Sequence, residues 1–186
     1  MAWLKIGYWN IYNVHKDGVA KTEDDVVHKI IDYHDIFCLS ELHCAEKDVP
    51  EIEGYGCYKV CRQKSKINRY FGGLAVYYKQ YLRAGIKFIK SEIDYLWIKC
   101  DRTFFNLSKD MYICMVYIPP EYDSYYKNRG IDSVGLLEED IQTFGQSGNY
   151  LLMGDFNSRT GEVLDYVQHD GLGGLMILGM KLIIFL

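Results

Sequence analysis

Four short apolar runs in this chain each stop at a polar side chain. That repetition constrains the fold more than any other feature. Trp3 to Trp9 is rich in aromatic and branched residues and ends at Asn10. Ile36-Phe37-Cys38-Leu39 ends at Ser40-Glu41. Met111 to Ile118 carries Tyr117 near its end and stops at Pro119-Pro120, and Tyr150-Leu151-Leu152-Met153 closes at Gly154-Asp155. Short apolar runs bounded by turn residues read as buried strands. In α/β sheets ligands commonly bind at the carboxyl ends of such strands, which is where these polar residues stand.

The rest of the chain supplies more strands and two helices. Tyr55 to Val60 and Leu74 to Tyr78 read as strands, the second preceded by Gly72-Gly73. Tyr95, Trp97 and Lys99 alternate with Leu96, Ile98 and Cys100, which is strand periodicity. Thr103 to Leu107 and Met111 to Ile118, joined by Ser108-Lys109-Asp110, read as a hairpin. Thr22 is placed to cap a helix with Glu23, Asp24 and Asp25 in its first turn and Val26, Val27, Ile30 and Ile31 at helical spacing. Ser133 is placed to cap a second helix carrying Leu136, Leu137, Ile141 and Phe144. An α/β domain with much sheet follows, and 186 residues fit a single domain.

Charge is unevenly placed. Residues 1–60 carry a net −5, residues 61–110 a net +7 and residues 111–186 a net −6. A basic middle between acidic flanks suits a protein that gathers carboxylates around a metal and still meets a polyanion; ordinary solvated lysines would give the same tally. The total of −4 excludes a basic nucleic-acid coat. Six cysteines and a start, Met1-Ala2-Trp3-Leu4-Lys5, without a long apolar stretch imply free thiols in a reducing, intracellular setting, nucleus or cytoplasm. No apolar run reaches the roughly 20 residues of a membrane span, so no membrane partner is expected.

Gly154-Asp155-Phe156-Asn157 is the sharpest local signal. The glycine lets the backbone turn as it leaves the strand. Asp155 and Asn157 then lie on one side if the chain stays extended. A carboxylate held beside an amide suits a base that takes a proton from water in one orientation. The same four residues can also be a plain turn closed by an Asx hydrogen bond.

Trp9-Asn10, Leu39-Ser40-Glu41, Phe71-Gly72-Gly73-Leu74-Ala75-Val76, Val116-Tyr117-Ile118-Pro119-Pro120 and Gly154-Asp155-Phe156-Asn157 occur in this order. Together they resemble the endonuclease/exonuclease/phosphatase superfamily, most of all the apurinic-type endonuclease domain of non-LTR retrotransposons. The resemblance runs from about Trp3 to about Asp165. It implies a partial four-layer αββα sandwich, two packed mixed β-sheets flanked by helices, with the last strands of the second sheet missing. It also implies Mg²⁺-dependent hydrolysis of a DNA phosphodiester, with Mn²⁺ a possible substitute and no organic cofactor. Glu41 would be the acidic metal ligand, with Asn10 assisting the metal site. Tyr117 would contact the scissile phosphate. Asp155 would orient or deprotonate the attacking water, and Asn157 would position it. Gly72, Gly73 and Gly154 would be structural. The basic residues Arg62, Lys64, Lys66 and Arg69, interleaved with Tyr70 and Phe71, are placed to contact the nucleic-acid backbone; a solvated loop is the alternative.

The sequence departs from that family at its end. The family's Ser-Asp-His motif has no match among the 29 residues after Asn157, where the histidine, His169, precedes Asp170. Residues 1–165 therefore read as an incomplete domain. Residues 166–186 read as an atypical apolar tail, of the kind a reading-frame or splice change produces. Weak or absent catalysis is expected from such a chain. The alternatives are a non-catalytic remnant that binds nucleic acid or protein, and another phosphoesterase of the same superfamily. A zinc site from His43, Cys44, Cys57 and Cys61 has only marginal ligand spacing. Cys38, Cys100 and Cys114 read as small buried residues.

Overall fold

The computed structural model describes residues 4–65, 67–120, 132–157 and 182–183. Strand β1 (Ile6–Asn10) is followed by a small hairpin, β2 (His15–Lys16) and β3 (Val19–Ala20), then by helix α1 (Asp25–Asp32) and strand β4 (Ile36–Ser40). Next come β5 (Tyr55–Val60), β6 (Leu74–Lys79), β7 (Ile86–Glu92) and β8 (Tyr95–Cys100). A short helix α2 (Arg102–Phe105) leads to β9 (Met111–Tyr117). Helix α3 (Ser133–Ser147) and β10 (Asn149–Asp155) complete the body, and β11 (Leu182–Ile183) pairs antiparallel with β10.

Two mixed sheets form, with strand orders β1-β4-β6-β5 and β11-β10-β9-β8-β7. Each contains one parallel pair, β1 with β4 and β9 with β10. In each pair a helix lies between the two strands in the chain. Side-chain alternation explains how the sheets stack. Cys38, Leu74, Val76 and Tyr78 of the first sheet share one core with Leu96, Ile98, Ile113 and Met115 of the second. The opposite faces carry Phe37, Leu39, Ala75 and Tyr77, which pack on Val27 and Ile31 of α1, and Tyr95, Trp97, Cys114 and Val116, which pack on Leu137 of α3. The result is the helix–sheet–sheet–helix sandwich that the family resemblance implies, with β4, β6, β8 and β9 buried on both faces.

Local chemistry corrects three expectations. Thr103 to Leu107 is no strand. Asp101 accepts hydrogen bonds from the Thr103 and Phe104 backbone N–H groups at 2.9 and 3.0 Å, and that N-cap starts α2 in spite of the β-prone Thr-Phe-Phe. Asp24, not Thr22, caps α1 through the Val26 and Val27 amides. Asp132 caps α3 through the Gly135 amide, because the Ser133 hydroxyl is spent on Asp94 at 2.6 Å. Strand β7, which carries Lys87, Lys90 and Glu92, has no counterpart in the sequence reading. Cys38, Cys100 and Cys114 are fully buried, as expected, and all six cysteines are free thiols. The proposed boundary near 165 lies outside the described residues, as does the apolar tail apart from β11.

Candidate active site

The parallel register of β1 on β4 pairs Asn10 with Ser40 and continues past both strands. The Ile11 amide donates to the Ser40 carbonyl at 3.1 Å, Asn13 to Glu41 at 2.7 Å and Val14 to Leu42 at 3.0 Å. This places Asn10 beside Glu41, and Asn10 Nδ2 donates to Glu41 Oε1 at 2.8 Å. Asn10 Oδ1 accepts from the Tyr12 amide at 3.2 Å, so the Asn10 side chain is fixed at both ends. Lys21, unremarked in the sequence, donates its ammonium to the Ile11 and Tyr12 carbonyls at 2.8 Å each and pins the segment that leaves Asn10.

The second sheet brings the other half. In the β9–β10 register Gly154 stands beside Val116 and Asp155 beside Tyr117. A Cβ on Gly154 would lie 1.9 Å from the Val116 carbonyl oxygen, so only glycine lets β10 approach β9 there. Asp155 Oδ1 accepts from the Asn157 amide at 2.9 Å, and Asn157 Nδ2 donates to the Ile118 carbonyl at 2.8 Å. The turn alternative is thus the one present, and with Asn157 at φ +44° the chain does not stay extended beyond Asp155. Burial, then the nearby Glu41 carboxylate, push the Tyr117 pKa well above the ordinary phenol value, with the Asp155 carboxylate adding to the rise. Tyr117 is thus a neutral phenol that feels both carboxylates, and Glu41 and Asp155 lie on the same rim rather than on opposite sides of the molecule.

A tyrosine of β1 ties the two halves together. Tyr8, on the inner face of β1, donates its hydroxyl to the Val116 carbonyl at 3.0 Å and accepts from the Asp155 amide at 3.2 Å. Tyr8 went unremarked in the sequence; among 17 tyrosines nothing marks it except its place two residues before Asn10 on a buried strand. Strain gathers at the same rim. Glu41, His43 and Asn157 hold φ of +55°, +52° and +44°, left-handed values that cost a non-glycine residue about 1–3 kcal/mol and that cluster at functional sites. His43 Nε2 lies 3.7 Å from Glu41 Oε2, with the ring edge-on to Tyr12 and Phe71. Burial holds its pKa below the ordinary value, against the pull of Glu41.

The basic segment is not uniformly a surface. Arg62 is 3% exposed and its guanidinium pairs with the buried carboxylate of Asp94. It also faces the Tyr117 ring at 5.9 Å. The expectation that Arg62 contacts a nucleic-acid backbone is therefore corrected: its charge is consumed inside the protein by an acid 32 residues away. Lys64 and Arg69 are exposed, with the Lys64 ammonium 5.3 Å from the Tyr70 ring. Lys66 lies outside the described residues. Gly72 and Gly73 are left-handed, at φ +64° and +94°, and their carbonyls accept the His43 and Leu42 amides, which extends the β4–β6 pairing to the rim.

The chain matches the Endonuclease/Exonuclease/phosphatase family over residues 7–171. It belongs to that family. Solved structures with the family fold include the Neisseria 3' phosphatase NExo bound to product DNA hairpin, with TM-score 0.57 and 15% identity over 86% of this chain and 60% of that one. The Xenopus laevis APE2 catalytic domain gives TM-score 0.57 and 16% identity over 83% and 58%. An AP endonuclease from Archaeoglobus fulgidus gives TM-score 0.52 and 14% identity over 86% and 60%. This chain thus spans about three fifths of the length of those family members. No curated protein matches it.

The donor set fits a hard cation. Among the described residues no group of three or more His, Cys, Asp or Glu could enclose a metal, which disfavours the zinc site considered from His43, Cys44, Cys57 and Cys61. Mg²⁺ instead takes one or two carboxylates and completes its shell with water and phosphate oxygens. Glu41, oriented by Asn10, offers a carboxylate of that kind. Also among the described residues, no helix is long and apolar enough to cross a membrane.

Proposed function

We propose that this chain hydrolyses phosphodiester bonds in DNA with the help of Mg²⁺ (or Mn²⁺), as an endonuclease of the retrotransposon type. The observation that carries the reading is the meeting of Asn10, Glu41, Tyr117, Asp155 and Asn157 at the tips of strands from two sheets. Glu41 would hold the cation and Asn10 would keep its carboxylate turned toward the site. When bound, the cation would neutralise charge on the phosphate and stabilise the leaving oxygen. Asp155 has one oxygen held by the Asn157 amide, so its other oxygen is the one to take the proton of the attacking water. The Tyr117 phenol, kept protonated by burial and by Glu41, would donate to a phosphate oxygen. Lys64 and Arg69 would meet the polyanion.

DNA as the substrate is supported by the family members above, one solved with a product DNA hairpin and another named an AP endonuclease. The exposed cations Lys64 and Arg69 favour, as the second reading, a nucleic-acid binder without turnover. Supercoiled plasmid incubated with the protein in Mg²⁺ or EDTA tests both. Slow nicking in Mg²⁺ that is lost in Asp155→Ala and Glu41→Gln supports hydrolysis. Salt-dependent DNA binding without nicking supports the second reading, and neither binding nor nicking overturns both.

A further inference from the structure

Three separate chain segments meet beside Glu41, and each brings an aromatic ring. The β1–β4 pairing runs on past the sheet as the Asn13 amide donates to the Glu41 carbonyl at 2.7 Å, which sets Tyr12 alongside the residues that follow β4. The His43 amide donates to the Gly72 carbonyl at 3.0 Å, which brings Phe71 to His43 as well. The His43 ring stands 5.5 Å from that of Tyr12 and 6.1 Å from that of Phe71, edge-on to both, an arrangement that ring quadrupoles favour. His43 is half-buried, but Tyr12 is 73% and Phe71 42% exposed. Rings left in water contribute little to folding, and here the backbone that carries them is strained. Tyr12 and His43 take left-handed φ of +45° and +52°, which bulky residues rarely adopt. The Lys21 ammonium is committed to the Ile11 and Tyr12 carbonyls and the Tyr12 amide to Asn10 Oδ1, so the backbone that presents the Tyr12 ring is fixed.

We propose that Tyr12, His43 and Phe71 form a stacking platform for an unpaired nucleobase of the DNA strand whose phosphate is held at the Glu41 rim. The inference rests on the reading of that rim as the place where phosphate is handled. A nucleotide carries a flat π-face one sugar away from its phosphate. His43 Nε2 lies 3.7 Å from Glu41 Oε2, so the row of rings begins at the site itself. The surrounding charge matches the same ligand. Lys64 and Arg69, both exposed, come from the segment that leads into Phe71, and the Lys64 ammonium lies 5.3 Å from the neighbouring Tyr70 ring. Cations that track the backbone, interleaved with rings that take the bases, are what a single strand needs. Every base has a π-face, so such a platform selects by strandedness rather than by sequence. A paired base is already stacked between its neighbours and must be drawn out before it can reach the rings; an unpaired base needs no such step. Tyr12 and Phe71 are the exposed rings that take the base, and His43 holds the spacing between them. The platform directs the rim toward frayed ends, bulges and single strands in preference to intact duplex.

The test measures binding by the full chain in EDTA, where hydrolysis plays no part. Two short strands of equal length carry the same distal fluorescein: oligothymidylate, and the same phosphate backbone with tetrahydrofuran in place of every base. Oligothymidylate should bind at least about 5-fold tighter by fluorescence anisotropy, the lower end of what one base–ring stack supplies. Tyr12→Leu and Phe71→Leu keep apolar bulk and remove a ring; each should bring that ratio toward one and leave the baseless strand's affinity unchanged. Lys64→Glu should weaken both strands alike. Equal binding of the two strands by the wild-type chain, or a ratio that survives both ring substitutions, overturns the proposal. Binding of neither strand overturns it together with the nucleic-acid reading. An intact ratio in a protein that nicks no plasmid supports the platform and counts against hydrolysis alone. If either leucine variant does not fold, as judged by circular dichroism, NMR of the wild-type complex decides: upfield ring-current shifts of the thymine protons support stacking, and unshifted thymine protons overturn it.

Discussion

Replacing Tyr8 with Phe removes one oxygen from the seam between the sheets and leaves the ring volume unchanged. Tyr8 is 2% exposed, so water does not readily take the place of the missing hydroxyl. The Asp155 amide loses its 3.2 Å acceptor and the Val116 carbonyl its 3.0 Å donor. A net hydrogen bond is worth about 0.5–1.5 kcal/mol, and a buried group left unpaired costs about 1–3 kcal/mol. These effects overlap, because the unpaired amide is one of the two lost bonds, so the expected loss is about 2 kcal/mol. With a urea dependence of about 1–3 kcal/mol per molar, the midpoint should fall by about 1 M while the slope stays constant. Urea titration followed by circular dichroism and tryptophan fluorescence measures both. A midpoint shift below about 0.3 M at unchanged slope would refute the claim that this hydroxyl holds the second sheet's tip against the first.

Gly154→Ala should fail to reach the native state or lose more than about 4 kcal/mol, since its Cβ would meet backbone rather than a movable side chain; thermal melts check this. Arg62→Met should cost about 3–5 kcal/mol by stranding the Asp94 charge, and Arg62→Met with Asp94→Leu should cost clearly less than the sum of the two single changes; strict additivity in a double-mutant cycle would argue against the buried pair. In metal-free protein the His43 ring should titrate below the ordinary histidine value of 6.5, as read by NMR. The unfolded chain then binds that proton more tightly, so this group leaves stability untouched above pH 6.5 and erodes it as pH falls below. Glu41→Gln should weaken Mg²⁺ binding at least tenfold by calorimetry while the melting temperature moves little.

The parts of the site that follow from local sequence were readable in advance. Asn10, Glu41, Tyr117 and Asp155 each end an apolar run, and a buried strand with a polar stop announces its own tip. What the sequence hid was set by long-range partners. Arg62 looked like one more member of a basic run until its acid, Asp94, arrived from the turn between β7 and β8. Tyr8 carries no signal of its own, since its two hydrogen-bond partners lie 108 and 147 residues away. Strand β7 escaped notice because it is an edge strand that mixes Lys87, Lys90 and Glu92 with Phe88 and Ile89 at half-buried or exposed positions, which neither alternation nor an apolar run reveals. Thr103-Phe104-Phe105 was misread because a single cap, Asp101, outweighed three β-prone residues.

The divided origin of the site also bears on how the protein tolerates change. Asn10 and Glu41 travel with one layer, Tyr117 and Asp155 with the other, and the gap between them is kept by Ile98, Ile113, Met115, Cys38 and Val76 in the filling between. Shaving a methyl group from that filling touches no polar atom, yet it lets the layers creep together or slip sideways. The chemistry of this chain is thus hostage to its hydrocarbon, and a variant with every reactive group intact can still be mistuned from within.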